Sequence, residues 1–334
     1  MLAMKTIDAH AEGGPLRLVV HGFPSPRGGT MLEKREWAGR HTDHLRRALM
    51  LEPRGHADMV GAVLTEPVSP ASHAGVIFMH NEGFSTMCGH GIIALTTIAL
   101  ERGLLMPGDE GTAVVFDSSA GTIRARATLA PDRSQVRVEK VSFLNVPSFV
   151  LHGGLAVRVG SRQIRADVAF GGVFFAIVDC EAVGLPIDGD HLAELRRTGM
   201  EIKRAVEAAC TVVHPLDPRL RGVYGTIFTG PPNDSRADLR NVTVYANAAV
   251  DRSPCGTGTA AVMAVLDAMG LIADGQPFVH ESVVGTRFTG RVASRTRVGE
   301  YGAIVAEIEG SAWITGEHTF LVDERDPLGR GFQL

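Results

Sequence analysis

The chain contains one stretch twice, and that repeat limits what it can fold into. Cys88 opens CGHGIIALTTIALERGLL and Cys255 opens CGTGTAAVMAVLDAMGLI. In each copy Gly follows at the first and third positions after the cysteine, Ala at the sixth and Gly again at the fifteenth (Gly103, Gly270), with two aliphatic residues after it. Each copy therefore reads as one helix with a glycine stop. The two cysteines lie 255 − 88 = 167 residues apart, half of the 334-residue chain. The arrangement predicts two related halves, each presenting one cysteine at the start of a helix.

A helix start carries unpaired backbone N–H groups and the positive end of the dipole, and both favour a thiolate and hold anions beside it. Gly at the adjoining positions removes side chains there. A small carboxylate could then lie on the amides while the sulfur reaches the carbon next to it. Two such helix starts facing each other would put one thiol on each face of a substrate carbon.

The length suffices for two domains, each with its own core. Net charge is −4, and no dense Lys/Arg run argues for a nucleic-acid or anionic-membrane partner. The start, MLAMKTIDAHAEGG, has no apolar segment of signal-peptide length, and the other apolar runs are too short to span a bilayer. The expected compartment is the cytoplasm. Four cysteines are few for a disulfide scaffold in a chain this long, so free thiols are expected, with Cys180 and Cys210 as buried packing residues.

Along the chain, residues 4–20 read as strand, Gly-Gly-Pro turn, strand, and residues 31–53 as one helix ending before Pro53. Short strands lead into Cys88. After Gly103 strands dominate, among them a hairpin in TAVVFDSSAGTIRARATL. NVPS, residues 145–148, marks a boundary, giving halves 1–148 and 149–321, with the tail 322–334 packing back on the first. The second half holds a helix near 190–210 and further strands around Cys255. A helix apolar nearly all round, as GIIALTTIAL is, belongs inside something. The expected fold is thus α/β of the α+β type: two pseudo-symmetric domains, each a curved, mostly antiparallel sheet around a central helix.

Breaking a Cα–H bond without a cofactor requires a positioned base and a site that stabilises the developing carbanion. One thiolate can be the base, the other thiol can deliver a proton to the opposite face, and the helix-start amides can hold the carboxylate. No cofactor or metal is called for; the Cys-x-His at 88 and 90 lacks a companion CxxC or HExxH. GHGIIA and GTGTAA also satisfy G-x-G-x-x-A, but neither follows a clean strand in a short strand–helix–strand unit, and a dinucleotide site gives the cysteines no role. A single cysteine nucleophile with His90 as base leaves Cys255 unexplained.

MCGHG at 87–91 and DRSPCGTGTAA at 251–261 resemble the two signature motifs of the proline racemase family. The resemblance extends to LEPRGHADMVGAV (51–63), FMHNEGF (78–84), AFGGVFFAIV (169–178), GTRFTGR (285–291) and DPLGRGF (326–332). It implies a diaminopimelate-epimerase-like fold and proline racemisation, 2-epimerisation of 4-hydroxyproline, or dehydration of trans-3-hydroxy-L-proline. By the same resemblance Cys88 is the base acting on the L-substrate and Cys255 the thiol on the opposite face. Gly89, His90, Gly256 and Thr257 take the carboxylate, and Asp251 holds the ring nitrogen as a cation.

Segments outside the motifs, including HTDHLRRALMLEPRGHADMVGAV and YGTIFTG, are most similar to the trans-3-hydroxy-L-proline dehydratases, which typically carry Thr at the position of Cys255. The expected activity is therefore trans-3-hydroxy-L-proline dehydration, 2-epimerisation or both. A 4-hydroxyproline 2-epimerase or proline racemase is the alternative, followed by a non-catalytic imino-acid binder. The expected partner is a small imino acid, and a monomer and a homodimer fit equally. One departure stands out: the family's N-terminal His-Thr-x-Gly-Glu-Pro is His10-Ala11-Glu12-Gly13-Gly14-Pro15 here.

Overall fold

The computed structural model describes residues 1–106, 112–131 and 136–333. The chain forms two compact units, one of Met1–Phe143 with Gly310–Leu334 and one of Leu144–Glu309.

The first unit opens with β1 (Leu2–Ala11), β2 (Gly14–His21), α1 (Met31–His41), α2 (Asp43–Met50) and β3 (Val60–Thr65). It continues with β4 (Ala74–His80), β5 (Phe84–Ser85), α3 (Gly89–Glu101), β6 (Ala113–Ser118), β7 (Gly121–Leu129) and β8 (Val138–Leu144). The second unit holds β9 (Ser148–Val159), β10 (Arg162–Phe170), β11 (Phe174–Asp179), α4 (Cys180–Val183), α5 (Leu192–Ala209) and β12 (Val223–Gly230). It goes on with β13 (Leu239–Tyr245), β14 (Ala249–Asp251), α6 (Gly256–Ala268), β15 (Phe278–Glu281), β16 (Arg287–Val298) and β17 (Tyr301–Gly310). The chain then returns to the first unit as β18 (Ala312–Val322).

The first unit's strands pair in the order β18-β1-β2-β3-β4-β6-β7, antiparallel except for β2–β3 and β4–β6. The β1–β2 turn uses Glu12 and Gly13 at φ 46° and 94°, the positive pair that matches a two-residue turn to strand twist. Helix α3 packs on β1, β2 and β18 and also on β7, at the other end of that order, so the sheet curves about it. Every α3 residue from Gly89 to Leu100 is buried. The hydroxyls of Thr96 and Thr97 are satisfied within the helix, donating to the carbonyls of Ile92 (2.8 Å) and Ile93 (3.0 Å).

In the second unit β9-β10-β11-β12-β13-β15-β16-β17 are paired in sequence, and β17 pairs back onto β9 through Ala303↔Phe149 and Ile304↔Ser148. The ring of strands closes. Helix α6 packs on β9, β10, β11 and β16 of that ring, and its residues Gly256–Val265 are buried. Gly171, in the β10–β11 connection, permits this packing: a Cβ there would lie 2.1 Å from the Thr257 carbonyl oxygen.

Both buried helices end alike. Gly103 (φ 62°) and Gly270 (φ 71°) take the left-handed conformation past the last turn. The next residue's N–H reaches back to the carbonyl of Ala99 from Leu104 (2.8 Å) and of Leu266 from Leu271 (2.8 Å). The glycine N–H groups donate to Leu100 (3.3 Å) and Asp267 (2.9 Å). This is the Schellman arrangement, and it explains why the repeat carries Gly followed by an aliphatic residue.

Besides Cys210, which is half-buried rather than buried, three expectations differ from the structure. Residues 31–53 form two helices, Met31–His41 and Asp43–Met50, because the backbone of Thr42 between them leaves helical geometry (φ −124°, ψ 8°). The division falls at 143/144 rather than 148/149. The part of the chain that returns to the first unit begins at Gly310 rather than residue 322. The cause of the last is pairing, since β18 runs antiparallel to β1 from Leu2↔Val322 to Ala11↔Ala312. The tail beyond β18 also lies on the first unit, with the Phe332 N–H donating to the Glu52 carbonyl (2.9 Å); Leu334 is outside the described residues.

Candidate active site

In the first unit Cys88 is the residue before α3, half-buried, with ordinary extended backbone (φ −147°, ψ 110°). Gly89 and His90 form the first turn. The Cys88 Sγ lies 3.6 Å from both ring nitrogens of His90. Nε2 of that ring, which is only 4% exposed, lies 3.3 Å from the Pro15 carbonyl oxygen at the start of β2. A carbonyl can only accept, so Nε2 carries the hydrogen when this bond is made. The third glycine position now has a reason. A Cβ on Gly91 would stand 3.0 Å from the Cys88 sulfur and 2.5 Å from Cε1 of Phe78.

In the second unit Cys255 precedes α6 at φ 62°, ψ 102°, a left-handed conformation that a β-carbon disfavours. It is buried, and its Sγ accepts the Gly258 N–H at 3.3 Å and lies 3.6 Å from the Thr257 hydroxyl. A Cβ on Gly258 would again stand 3.0 Å from the cysteine sulfur. Gly256 and Thr257 complete the first turn. Asp251, at the end of β14, is buried, and its Oδ1 accepts both the N–H (2.9 Å) and the hydroxyl (2.7 Å) of Ser253. The Ser253 Oγ then accepts the Cys255 N–H at 3.2 Å. Asp251 is thereby tied to Cys255 through one serine.

The structure thus gathers Cys88, Gly89 and His90 at one helix start and Asp251, Cys255, Gly256 and Thr257 at another. The two helix starts are not equivalent: one sulfur is half-buried beside a histidine, the other buried beside a threonine and an amide. Sequence reasoning missed Pro15 and Ser253. Pro15 and Ser253 stood inside or beside the motifs, but only the fold shows that a main-chain carbonyl and a serine hydroxyl reach the site residues. All four cysteines are free thiols. Among the described residues no three His, Cys, Asp or Glu side chains are grouped to hold a metal ion, and no helix is long and apolar enough to cross a membrane.

The fold is that of a mixed, mostly stranded α/β protein shared with solved members of one family. A hydroxyproline epimerase from Agrobacterium vitis, solved with bound trans-4-hydroxy-L-proline, superposes with a TM-score of 0.92 at 31% identity, covering 100% of this chain and 95% of that one. The proline racemase family profile matches residues 6–333. The chain belongs to the proline racemase family. It is 46% identical over 329 residues to the trans-3-hydroxy-L-proline dehydratase of Bacillus cereus, covering 98% of this chain and 97% of the relative. It is 44% identical over 331 residues to the 3-hydroxyproline 2-epimerase of Burkholderia multivorans, covering 99% and 98%.

Proposed function

We propose that this protein is an enzyme acting on trans-3-hydroxy-L-proline, by dehydration, 2-epimerisation or both, with Cys88 and Cys255 as a cofactor-independent acid/base pair. The observation that carries the reading is the pairing of a cysteine at each of two buried helix starts with similarity to relatives bearing both activities. In this reading the two units are pseudo-symmetric halves, Cys88 removes the Cα proton, and the carboxylate rests on the first-turn main-chain amides, those of His90 and Thr257 among them. Asp251 offers the charge to hold the ring ammonium. In the trans-3-hydroxy-L-substrate the leaving hydroxyl is on the same ring face as the Cα hydrogen. One cysteine there can take the proton and hand it to the departing hydroxyl, giving water and an enamine that tautomerises to the cyclic imine. Return of a proton from Cys255 on the other face gives the 2-epimer instead. Retention of Cys255 therefore equips this chain for both routes from one carbanion. We place the enzyme in the cytoplasm, a compartment that suits four free thiols.

A 4-hydroxyproline 2-epimerase is the second reading, favoured by the Agrobacterium vitis neighbour with its bound trans-4-hydroxy-L-proline. Proton NMR in D₂O under reducing conditions, with trans-3-hydroxy-L-proline, trans-4-hydroxy-L-proline and L-proline in separate tubes, decides. Loss of the Cα signal from the 3-hydroxy compound, with imine or 2-epimer appearing, is the expected result. Exchange confined to the 4-hydroxy compound or to proline overturns it, and exchange that persists in Cys88→Ser removes the cysteine-base mechanism.

A further inference from the structure

Cys255 and Cys88 occupy matching positions of the repeat, yet only Cys255 is held at positive φ. Something must hold it there, because a residue with a β-carbon leaves that conformation when its surroundings permit. The peptide group joining Pro254 to Cys255 is fixed at both ends by side chains. Its N–H donates to the Ser253 hydroxyl (3.2 Å), and its carbonyl accepts from Asn241 Nδ2 (3.0 Å) and from the Thr259 hydroxyl (3.2 Å). Asn241 and Thr259 are both 0% exposed.

The Thr259 hydroxyl also lies 2.9 Å from Nδ1 of His280. It has one hydrogen. If that hydrogen goes to Pro254, the histidine must donate from Nδ1 and keep its lone pair on Nε2. The rest of the ring's surroundings fit this assignment. Among the described residues Nε2 has no hydrogen-bond partner, and the ring is fully buried against Phe278. Burial moves the His280 pKa down to about 3, so the ring stays neutral at ordinary pH.

We propose that Asn241, Thr259 and His280 are positioning residues for Cys255, a buried clamp that holds the Pro254–Cys255 peptide and so aims one of the two cysteines. The direction of the relay is His280 Nδ1–H to Thr259 Oγ1, then Thr259 O–H to the Pro254 carbonyl. The kinetic test of the clamp rests on the two-cysteine reading of the function, whereas the labelling test does not.

Because the clamp touches the peptide before Cys255, its loss should alter the Cys255 step and spare the Cys88 step. Thr259→Val removes the hydroxyl at nearly constant volume, and Thr259→Ser keeps it. Thr259→Val should slow 2-epimer formation about 10²-fold, the order expected for a misplaced reacting group, while Cys88-dependent imine formation stays within about threefold. Thr259→Ser should retain both. A second readout needs no substrate. Iodoacetamide labelling of Cys255 relative to Cys88, read by peptide mass spectrometry on the whole folded chain, should change at least about threefold in Thr259→Val and not in Thr259→Ser, by the same misplacement of the sulfur. If Thr259→Val fails to fold by circular dichroism, His280→Leu, which leaves the hydroxyl on Pro254 but removes the group that orients it, should shift the labelling ratio in the same direction by a smaller factor. An unchanged labelling ratio in the folded variant, or an equal fall of both reaction routes, overturns the clamp. If the wild-type chain turns over none of the three prolines, the functional reading fails and the labelling ratio still decides the clamp.

Discussion

Nε2 of His90 lies 3.3 Å from the carbonyl oxygen of Pro15, and through this contact the first hairpin holds the ring beside Cys88. The departures in the N-terminal motif, Ala11 and Gly14, change side chains, whereas the group that reaches His90 is main chain and survives them. The altered motif is therefore compatible with an intact first helix start. His90→Ala should lower kcat/KM for the true substrate about 2- to 10-fold, the range for losing one neutral hydrogen bond, here the one that holds the ring to the Pro15 carbonyl. His90→Asn, which keeps an N–H, should lose less. Steady-state kinetics of the two variants check this; equal activity in both and in the wild-type chain would remove His90 from the site.

The glycines three residues past each cysteine are set by space. Alanine in a helix interior normally gains about 1 kcal/mol over glycine. At Gly91 the new Cβ meets Phe78, itself 1% exposed, at 2.5 Å, and at Gly258 it meets Ile227, 0% exposed, at 2.9 Å; both also press on a cysteine sulfur at 3.0 Å. Such overpacking costs about 1–3 kcal/mol, enough to reverse the propensity gain. Gly91→Ala and Gly258→Ala should each lower the urea midpoint and the turnover rate. A raised midpoint in either would show that the neighbours give way.

How much of the fold was legible in the sequence depended on how local each signal was. The repeat encoded two complete helices, from cysteine start to glycine stop, because capping depends on residues within a few positions of the helix end. The helix break at Thr42 was hidden in a continuous helical pattern. It lies in the backbone of one residue, Thr42, which leaves helical geometry at φ −124°, ψ 8°. The return of β18 to the first unit was equally hidden, since Leu2↔Val322 pairing spans nearly the whole chain and alternation does not name a partner strand. At the candidate site, the residue types at positions 88–90 and 251–257 were enough to suggest a chemistry from the sequence. Asn241 and His280 were not, since they lie far from Cys255 in sequence and meet Pro254 and Thr259 only once β13 and β15 pair beside α6.

His280 also gives the fold a pH dependence. Its pKa in the folded chain is lowered by burial from the ordinary 6.5 to about 3. Between those values the unfolded chain binds a proton at this position and the folded chain does not, so stability is undiminished above 6.5 and falls as the pH drops toward 3. The slope is about 1.4 kcal/mol per pH unit. Burial shifts His10 and His214 in the same direction. Moving from pH 7 to pH 5 should therefore cost the wild-type chain about 2 kcal/mol more than His280→Leu, as read by urea unfolding at the two pH values. Parallel losses would mean that His280 takes up its proton in the folded state.

The proposed division of labour between the cysteines makes the sharpest prediction. Cys88 is half-buried beside His90, whereas Cys255 is buried, held at positive φ and bonded to the Gly258 amide. If Cys88 alone removes the Cα proton of trans-3-hydroxy-L-proline, Cys88→Ser should lower both imine and 2-epimer formation by at least about 10³-fold, within the range for loss of a positioned base. Cys255→Thr should behave differently. With a hydroxyl in place of the thiol, reprotonation from the second face is lost, while the proton and the leaving hydroxyl on the first face are still served by Cys88. Imine formation should then stay within about tenfold of wild type and the 2-epimer should disappear, a split that NMR in D₂O reads in one experiment. The positive φ at residue 255 bears on this variant, since Thr is β-branched and less tolerant of that conformation than Cys. Cys255→Ser, with the same hydroxyl on an unbranched side chain, provides the control. If both variants lost imine and epimer formation together while keeping their folded spectra, Cys255 would be needed for the first proton transfer and the division between the two thiols would fall.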